Sequence, residues 1–304
     1  MAQIGIMIEA QDGLNWERWR RLCHDVEELG FASLRRSDHL WSVFSEDGRD
    51  ALDCWTSLAL AAEWTKRIEF GPMVCSLTWH TPAVLAREAA AVDVLSGGRL
   101  VLGVGAGWHE AEHERFGVPF PSLKQRMDNY ESGLELIGRA WERTQPQPVR
   151  NGRVPILLGG RGGEKRGLRI VARFADEWNL TNADEEIYKQ KTAVFLEHCK
   201  LVGRDPNTVR RSIMQGFIIG ASESDLAERA ARLGQVIPRF REMKPREIID
   251  AQSPMWFVGT ADQIAEKMKR FSDLGVELFM LQHFLLDDAD ELELLAEEVM
   301  PAVA

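Results

Sequence analysis

The chain has 304 residues, 45% hydrophobic and 28% charged, which is enough to bury a large core. Its formal net charge is −10 at pH 7. This balance argues against nucleic acid as a partner, because phosphate-binding surfaces need clustered Lys and Arg. We find no signal peptide and no apolar run that could span a bilayer, so we expect a soluble cytoplasmic protein with no membrane partner.

The four cysteines stand far apart in the sequence, at Cys23, Cys54, Cys75 and Cys199. They form no C-x-x-C pair and no Cys/His spacing typical of a zinc ligand set. We therefore expect neither a bound metal nor a disulfide framework.

Strand-like and helix-like patterns alternate through the first half of the chain. Strands are predicted at 3–8, 33–37, 68–74 and 100–104. Helices are predicted at 16–29, 53–65, 82–95 and 123–142. Pro82 follows Thr81 as a proline at the first helical position, which is typical of a helix start.

The alternation continues in the second half. Strands are predicted at 154–158, 177–180, within 211–219 and at 276–281. Helices are predicted at 164–174, 185–202, 222–234 and 289–299, with one more between the capping box at Thr260 and a stop at Gly275. Residues 235–255 hold prolines and charges without a clear period, and we interpret them as an insertion.

Eight strands in regular alternation with helices predict a parallel sheet, because each crossover needs a helix. Eight such units closing on themselves make an α/β (β/α)8 TIM barrel, a single domain over 1–304 with the insertion before the last strand. The main rival is an open doubly wound sheet. That fold would carry a glycine-rich turn after the first strand, where this chain has Glu9-Ala10-Gln11-Asp12.

A glycine-rich turn instead follows the predicted fifth strand. It reads Gly159-Gly160-Arg161-Gly162-Gly163, and Lys165 and Arg166 lie just beyond it. Small residues let backbone N–H groups approach an anion, and the start of a helix adds partial positive charge. A plain strand-to-helix loop with positive φ angles is the alternative. Four glycines in five residues favour phosphate binding.

In a TIM barrel the active site lies at the carboxyl ends of the strands. Four of the seven histidines fall there, together with four tryptophans: His39, His80, His109, His283, Trp41, Trp79, Trp108 and Trp178. His39 follows Asp38 at a strand end, which suits a proton donor or acceptor near neutral pH. Neither an H-E-x-x-H metal motif nor a G-x-S-x-G nucleophile motif is present.

The tryptophans could belong to the core or could stack on a flat aromatic ring. A phosphate cradle, aromatic walls and a proton carrier together indicate a phosphorylated ring cofactor that takes part in hydride chemistry. These three features therefore favour an oxidoreductase with a small-molecule substrate.

Five stretches of the chain resemble the luciferase-like monooxygenase superfamily, in particular its class that uses the deazaflavin coenzyme F420. They are residues 37–39, 96–108, 159–166, 172–179 and 258–260, and they run in family order across nearly the whole chain. The resemblance implies a TIM barrel with an insertion before the last strand. It also implies a homodimer and coenzyme F420, with FMN as the alternative cofactor.

The resemblance further implies a cofactor site. Asp38 and His39 would lie beside the ring as catalytic residues, with His39 handling a proton. Residues 159–163 (Gly159, Gly160, Arg161, Gly162 and Gly163) would hold the coenzyme phosphate. A non-proline cis peptide at Met73-Val74 would form a bulge behind the ring, so the cofactor-binding set also includes Met73, Val74, Cys75, Gly107 and Trp108.

One departure from the family bears on the substrate. The sugar-phosphate dehydrogenase branch carries a catalytic glutamate after strand four, where this chain has Trp108-His109, with Glu110 further on. We therefore expect an apolar or aromatic substrate, in a pocket lined by Trp41, Trp79, His80, Trp108, His109 and His283. The rival hypotheses are an FMN-dependent monooxygenase that uses reduced flavin and O2, and a barrel without catalytic activity.

Overall fold

The computed structural model describes residues 2–46, 48–159 and 163–303. Its strands are β1 (Gln3–Ile8), β2 (Ser33–Arg36), β3 (Glu69–Pro72), β4 (Cys75–Ser76), β5 (Leu102–Gly105), β6 (Ile156–Gly159), β7 (Glu177–Thr181), β8 (Arg210–Ile219), β9 (Phe257–Gly259) and β10 (Leu278–Gln282).

Its helices surround these strands. They are α1 (Trp16–Glu28), α2 (Cys54–Trp64), α3 (Pro82–Leu95), α4 (Glu110–Phe116), α5 (Leu123–Trp141), α6 (Gly167–Phe174), α7 (Glu185–Val202), α8 (Glu223–Val236), α9 (Pro245–Gln252), α10 (Ala261–Asp273), α11 (Ala289–Leu294) and α12 (Met300–Val303), with a π-helical stretch at Leu295–Val299 between the last two. Among the described residues, none of these helices is both long and apolar enough to cross a bilayer.

The strands form a parallel ring in the order β3-β2-β1-β10-β8-β7-β6-β5-β4. β3 and β4 are two halves of the third strand, and a bridge between Phe70 and Leu100 joins β3 to the segment that enters β5. The ring confirms the predicted α/β TIM barrel and is inconsistent with an open doubly wound sheet. We propose, as the sequence predicts, that residues 1–304 form one domain.

The third strand differs from the single run predicted at 68–74. It is interrupted by a cis peptide bond at Met73-Val74, where the family resemblance places one. The neighbouring strand accommodates the bulge with glycines: a Cβ on Gly103 would lie 2.9 Å from Val74 Cγ1, and one on Gly105 would lie 2.7 Å from Val74 Cγ2. Glycine is required there because the Val74 side chain occupies the space of a Cβ at Gly105, and at Gly103 the backbone oxygen of Pro72, 2.2 Å away, excludes a Cβ as well.

Two other expectations need correction. The helix predicted at 164–174 begins only at Gly167. Trp178, which we placed at the rim, is buried in the core, where its ring stacks on Tyr188 and packs against Phe195 of α7. Side chains alternate between the two faces of a strand, and Trp178 lies on the face that is covered by helices.

The amino ends of the strands enclose a buried charge network. Arg35 of β2 lies 3.6 Å from Glu177 of β7, and these strands are not neighbours, so the contact crosses the barrel interior. Arg210 donates to Glu177 and to Glu69 at 2.5 and 2.8 Å, and Ser212 donates to Glu177 at 2.7 Å. Buried charges require such pairing, and this network closes the end of the barrel opposite the candidate site.

The insertion predicted at 235–255 contains α9 and is attached to the barrel by β8. The first part of β8 pairs with β10 inside the ring, whereas Phe217, Ile218 and Ile219 pair with β9. Trp256 packs against Gly216, where an added Cβ would lie 2.3 Å from the indole. The insertion has an apolar cluster apart from the main core, formed by residues such as Ile218, Leu233, Ile237, Phe240, Ile248, Trp256 and Phe284.

Candidate active site

His39 and Glu112 form a hydrogen-bonded pair at the carboxyl end of the barrel. His39 follows β2, and its Nδ1 lies 2.9 Å from Oε1 of Glu112 in the first turn of α4. The other carboxylate oxygen accepts a hydrogen bond of 2.9 Å from the backbone N–H of Leu40. Glu112 is 1% exposed, and both of its carboxylate oxygens form hydrogen bonds with the segment that carries His39.

This environment changes the protonation of His39. Burial disfavours the charged imidazolium, but the hydrogen bond and negative charge of Glu112, together with the charges of Glu9 and Asp38, outweigh burial and raise the pKa of His39 above its ordinary value. The side chain therefore keeps its proton to a higher pH than a free histidine. Such a group can act as a proton donor near neutral pH.

Sequence reasoning missed Glu112. The departure at Trp108-His109 suggested that the rim lacks a carboxylate after the fourth strand, but Glu112, one helical turn later, reaches His39. The burial of Glu112, which requires a polar partner, is visible only in the structure.

Asp38 and His80 form a second pair beside the first. His80 Nε2 lies 2.5 Å from Asp38 Oδ2. Burial disfavours the charged form of His80, but the hydrogen bond and charge of Asp38 outweigh it, so the pKa of His80 is raised. The structure thus brings together Asp38, His39 and His80, as the strand-end argument predicts, but in two separate acid–imidazole pairs.

A strip of glycines and one apolar side chain forms the floor between the strand ends. Val74, which follows the cis bond, lies over Gly105 of β5 and within 3.5 Å of the position that a Cβ on Gly159 of β6 would occupy. Gly107 has φ +76°, and a Cβ there would lie 2.7 Å from Ser76 Oγ and from Thr78 Cγ2. The glycines thus make room for the side chains of Val74, Ser76 and Thr78.

Hydrogen bonds order the loops around this floor. Ser76 Oγ lies 2.6 Å from Thr78 Oγ1, which also lies 2.7 Å from Nε2 of the buried His113. His113 Nδ1 contacts the backbone oxygen of His109 at 2.7 Å. Burial lowers the pKa of His109, and its Nδ1 is buried without a hydrogen-bond partner among the described residues. A bound ligand would satisfy this nitrogen.

The aromatic residues differ in their positions. Trp108 is 63% exposed, and its ring stands edge-on to His39 with a centroid distance of 5.6 Å. Trp79 packs on His113 at 4.9 Å. Trp41 lies under the guanidinium of Arg115 at 3.3 Å. Of the three, Trp108 is the one that stands beside the proton-carrying pair.

A third polar group lies on the β1 and β10 side of the rim. Glu9 accepts hydrogen bonds from Gln11 at 3.0 Å and from Gln282 at 2.6 Å. Burial raises its pKa, although these hydrogen bonds oppose the shift. His283, which follows β10, contacts Glu291 at 3.1 Å, and within the described ranges its buried Nε2 lacks a partner. The sequence analysis missed Glu9, because a lone glutamate at a strand end has no motif.

The predicted phosphate turn is described only in part. Gly159 ends β6 and Gly163 precedes α6, whereas Gly160, Arg161 and Gly162 lie outside the described residues. Arg166 forms ion pairs with two carboxylates of α5, at 2.7 Å to Asp128 and 3.2 Å to Glu131. Its charge is thus shared with α5. Phosphate binding at this turn stays a prediction.

A parallel barrel with polar residues gathered at the carboxyl rim is the architecture of TIM-barrel enzymes. The family model of the luciferase-like monooxygenases matches residues 2–278 of the chain. The chain therefore belongs to the luciferase-like monooxygenase family.

Similar proteins use two kinds of cofactor. An F420-dependent glucose-6-phosphate dehydrogenase of Microbacterium testaceum is 26% identical over 91% of this chain and 90% of its own length. A solved F420-dependent secondary alcohol dehydrogenase, in complex with an F420–acetone adduct, has a TM-score of 0.82 at 20% identity, covering 100% of this chain and 99% of that one. The FMN complex of the oxygenating constituent of 3,6-diketocamphane monooxygenase from Pseudomonas putida has a TM-score of 0.79 at 18% identity, with the same coverage.

Other curated relatives match over less of their length. Mycobacterial proteins that are 33% identical align over 45% of this chain and 52% of their own. The structural likenesses, at 20% identity and below, show the fold alone.

Proposed function

We propose that the protein is a coenzyme F420-dependent oxidoreductase that transfers a hydride between the deazaflavin C5 and a small apolar or aromatic substrate. The observation that carries this proposal is the His39–Glu112 pair beside a floor of glycines and Val74. The dehydrogenase relative that matches 91% of the chain is named F420-dependent, which supports the choice of coenzyme.

The residues of the rim fit such a coenzyme. The ring would lie over Met73, Val74 and Cys75, where Gly105 leaves room for the Val74 side chain and Gly107 for Ser76 and Thr78. Asp38, His39 and Trp108 would border it, and residues 159–163 would hold its phosphate. When bound, F420 supplies or accepts a hydride at C5 of its deazaflavin ring.

Within this arrangement His39 carries the proton that matches the hydride. Glu112 orients the imidazole through Nδ1 at 2.9 Å, which leaves Nε2 as the nitrogen that can face a substrate. The raised pKa favours the protonated form of His39, which would donate a proton to the substrate as it is reduced. In the opposite direction the neutral imidazole accepts that proton, and Glu112 stabilises the resulting charge.

The substrate would bind between the rim tryptophans. Trp108, edge-on to His39, and Trp79 provide apolar surface, while His80, His109 and His283 provide a few polar contacts. A pocket of this kind favours an apolar or aromatic acceptor over a sugar phosphate, which needs clustered cations. Trp41 would cover the outer edge.

Binding of the two cofactors can be compared directly. The purified protein is titrated with F420 and separately with FMN while ring fluorescence is followed. Preferential binding of F420 is expected. Preferential binding of FMN, with oxygen consumption in the presence of reduced flavin, would instead support an FMN monooxygenase, the candidate that the diketocamphane monooxygenase likeness favours. Binding of neither would support a barrel without catalytic activity.

The role of His39 is tested separately. His39→Ala should lower turnover by roughly 10²- to 10⁴-fold while F420 still binds, because a positioned general acid contributes about that much. His24→Ala, which removes an exposed histidine of α1, is the matched control. The homodimer and the cytoplasmic location stay predictions.

A further inference from the structure

Three ligand-bearing side chains meet behind the rim, although they lie far apart in the sequence. The Asp38 carboxylate and the thiols of Cys54 and Cys75 place one oxygen and two sulfur atoms within 4.8 Å of one another. These contacts explain why sequence spacing showed no metal site: the ligands converge only when the barrel has formed.

Each member of the cluster is held by a different element. Asp38 follows β2, Cys75 begins β4, and Cys54 begins α2, whose N-terminus is fixed by a hydrogen bond from Thr56 N–H to the Asp53 side chain at 2.8 Å. Cys54 is 3% exposed and Cys75 is fully buried. Folding therefore brings the two sulfur atoms close together before any metal binds.

The donor set suits a thiophilic divalent cation. Zinc prefers cysteine sulfur, histidine nitrogen and carboxylate oxygen in tetrahedral geometry, with metal–sulfur distances of about 2.3 Å. Two sulfur atoms bound to one ion at that distance lie about 3.8 Å apart. The ligand atoms of the cluster lie at most 4.8 Å apart. The two sulfur atoms would therefore need to approach each other by about 1 Å at most to bind one ion.

A supporting hydrogen bond is also present. His80 Nε2 lies 2.5 Å from Asp38 Oδ2 and so orients the carboxylate from outside the cluster. Ligating carboxylates in metal sites are held by hydrogen bonds of this kind. Three protein ligands leave a fourth position for water.

We propose that Asp38, Cys54 and Cys75 form a binding site for a thiophilic divalent cation such as Zn²⁺. Binding converts two thiols to thiolates, so one Zn²⁺ enters and two protons leave for solvent. The site takes Asp38 away from the border of the coenzyme pocket, so an occupied site inhibits the enzyme. This last consequence rests on the proposed function, whereas metal binding itself does not.

The test uses the full-length protein without coenzyme, reduced and free of metal. Zn²⁺ is titrated by calorimetry in two buffers of different ionisation enthalpy, and Co²⁺ is used as a spectroscopic probe. The expected result is one ion per chain, two protons released, and a sulfur-to-cobalt charge-transfer band. Cys54→Ser and Cys75→Ser should each abolish that band or lower the affinity at least tenfold.

Two matched controls keep the result interpretable. Cys23→Ser and Cys199→Ser remove buried thiols outside the cluster and should retain full binding. Circular dichroism and thermal unfolding of every variant separate loss of ligand from loss of fold, and a folded Cys54→Ser that still binds Co²⁺ with full affinity would overturn the proposal. Inhibition of F420 binding by one equivalent of Zn²⁺ is measured separately, so its failure leaves the metal site standing.

Discussion

His39 Nδ1 and Glu112 Oε1 lie 2.9 Å apart although the two residues are 73 positions apart in the chain. One residue comes from the end of β2 and the other from the first turn of α4. The same carboxylate holds the backbone N–H of Leu40, so it fixes both the ring and the segment that bears it. Glu112 is therefore a positioning residue for the proton carrier.

Replacing Glu112 with Gln should move the alkaline limb of the activity profile to lower pH. The proton on His39 is present below its pKa and is lost as pH rises through it, and Glu112 holds that pKa above the ordinary value. The variant removes the main cause of the rise. The measurement is kcat/KM against pH with saturating coenzyme, in the direction that needs a proton donor.

The exposed Glu114 of the same helix provides the control, since Glu114→Gln should leave the profile unchanged. A merely structural role for Glu112 would lower activity equally at every pH. An unmoved limb in a stably folded Glu112→Gln would therefore contradict the assignment.

Replacing Gly107 with Ala should destabilise the protein and weaken coenzyme binding. The backbone has φ +76°, which costs an L-residue about 1–2 kcal/mol. The added methyl also overlaps Ser76 and Thr78 at 2.7 Å, which adds about 1–3 kcal/mol. Urea unfolding and F420 titration measure the two effects.

Gly203→Ala separates the two costs. Gly203 has a similar φ of +71°, and nothing lies within 4 Å of its added Cβ. The Gly203→Ala variant should lose only the stability that corresponds to the backbone strain. Its affinity for the coenzyme should be unchanged. Equal losses of stability in the two variants would show that crowding at the rim is absent.

Replacing Glu177 with Gln should lower the free energy of unfolding by about 3–5 kcal/mol, because it leaves buried arginines without their partner. Glu177 is 2% exposed and faces Arg35, Arg210 and Ser212. Denaturant unfolding measures the loss. Glu135→Gln, at an ion pair on the surface of α5, should cost less than about 1 kcal/mol.

Replacing Trp108 with Ala should raise KM for an apolar substrate by roughly tenfold with little change in stability. The ring is 63% exposed and contacts His39 edge-on, so its removal takes away substrate surface without opening a cavity in the core. Steady-state kinetics with F420 held saturating check this. An unchanged KM would place the substrate away from Trp108.

The sequence predicted the barrel well because each strand and helix has its own period. The first strand, at 3–8, has the bounds of β1, and His39 and Asp38 were predicted as site residues because strand ends converge in a parallel barrel. Contacts between elements that are distant in the sequence could not be predicted from these local patterns. Glu112 and the cluster of Asp38, Cys54 and Cys75 depend on how loops and helices pack, which no local pattern records.

The division of β8 between two partners has a consequence for how the molecule moves. Its first part is held in the ring by β7 and β10, whereas Phe217, Ile218 and Ile219 pair with β9, which follows the insertion and its apolar cluster. Local opening needs only the contacts of one cooperative unit to break. Because the insertion has an apolar cluster of its own, we expect its amide hydrogens to exchange with solvent before those of the ring. Phe284, stacked on Trp256 and edge-on to Phe44, links that cluster to the mouth of the barrel.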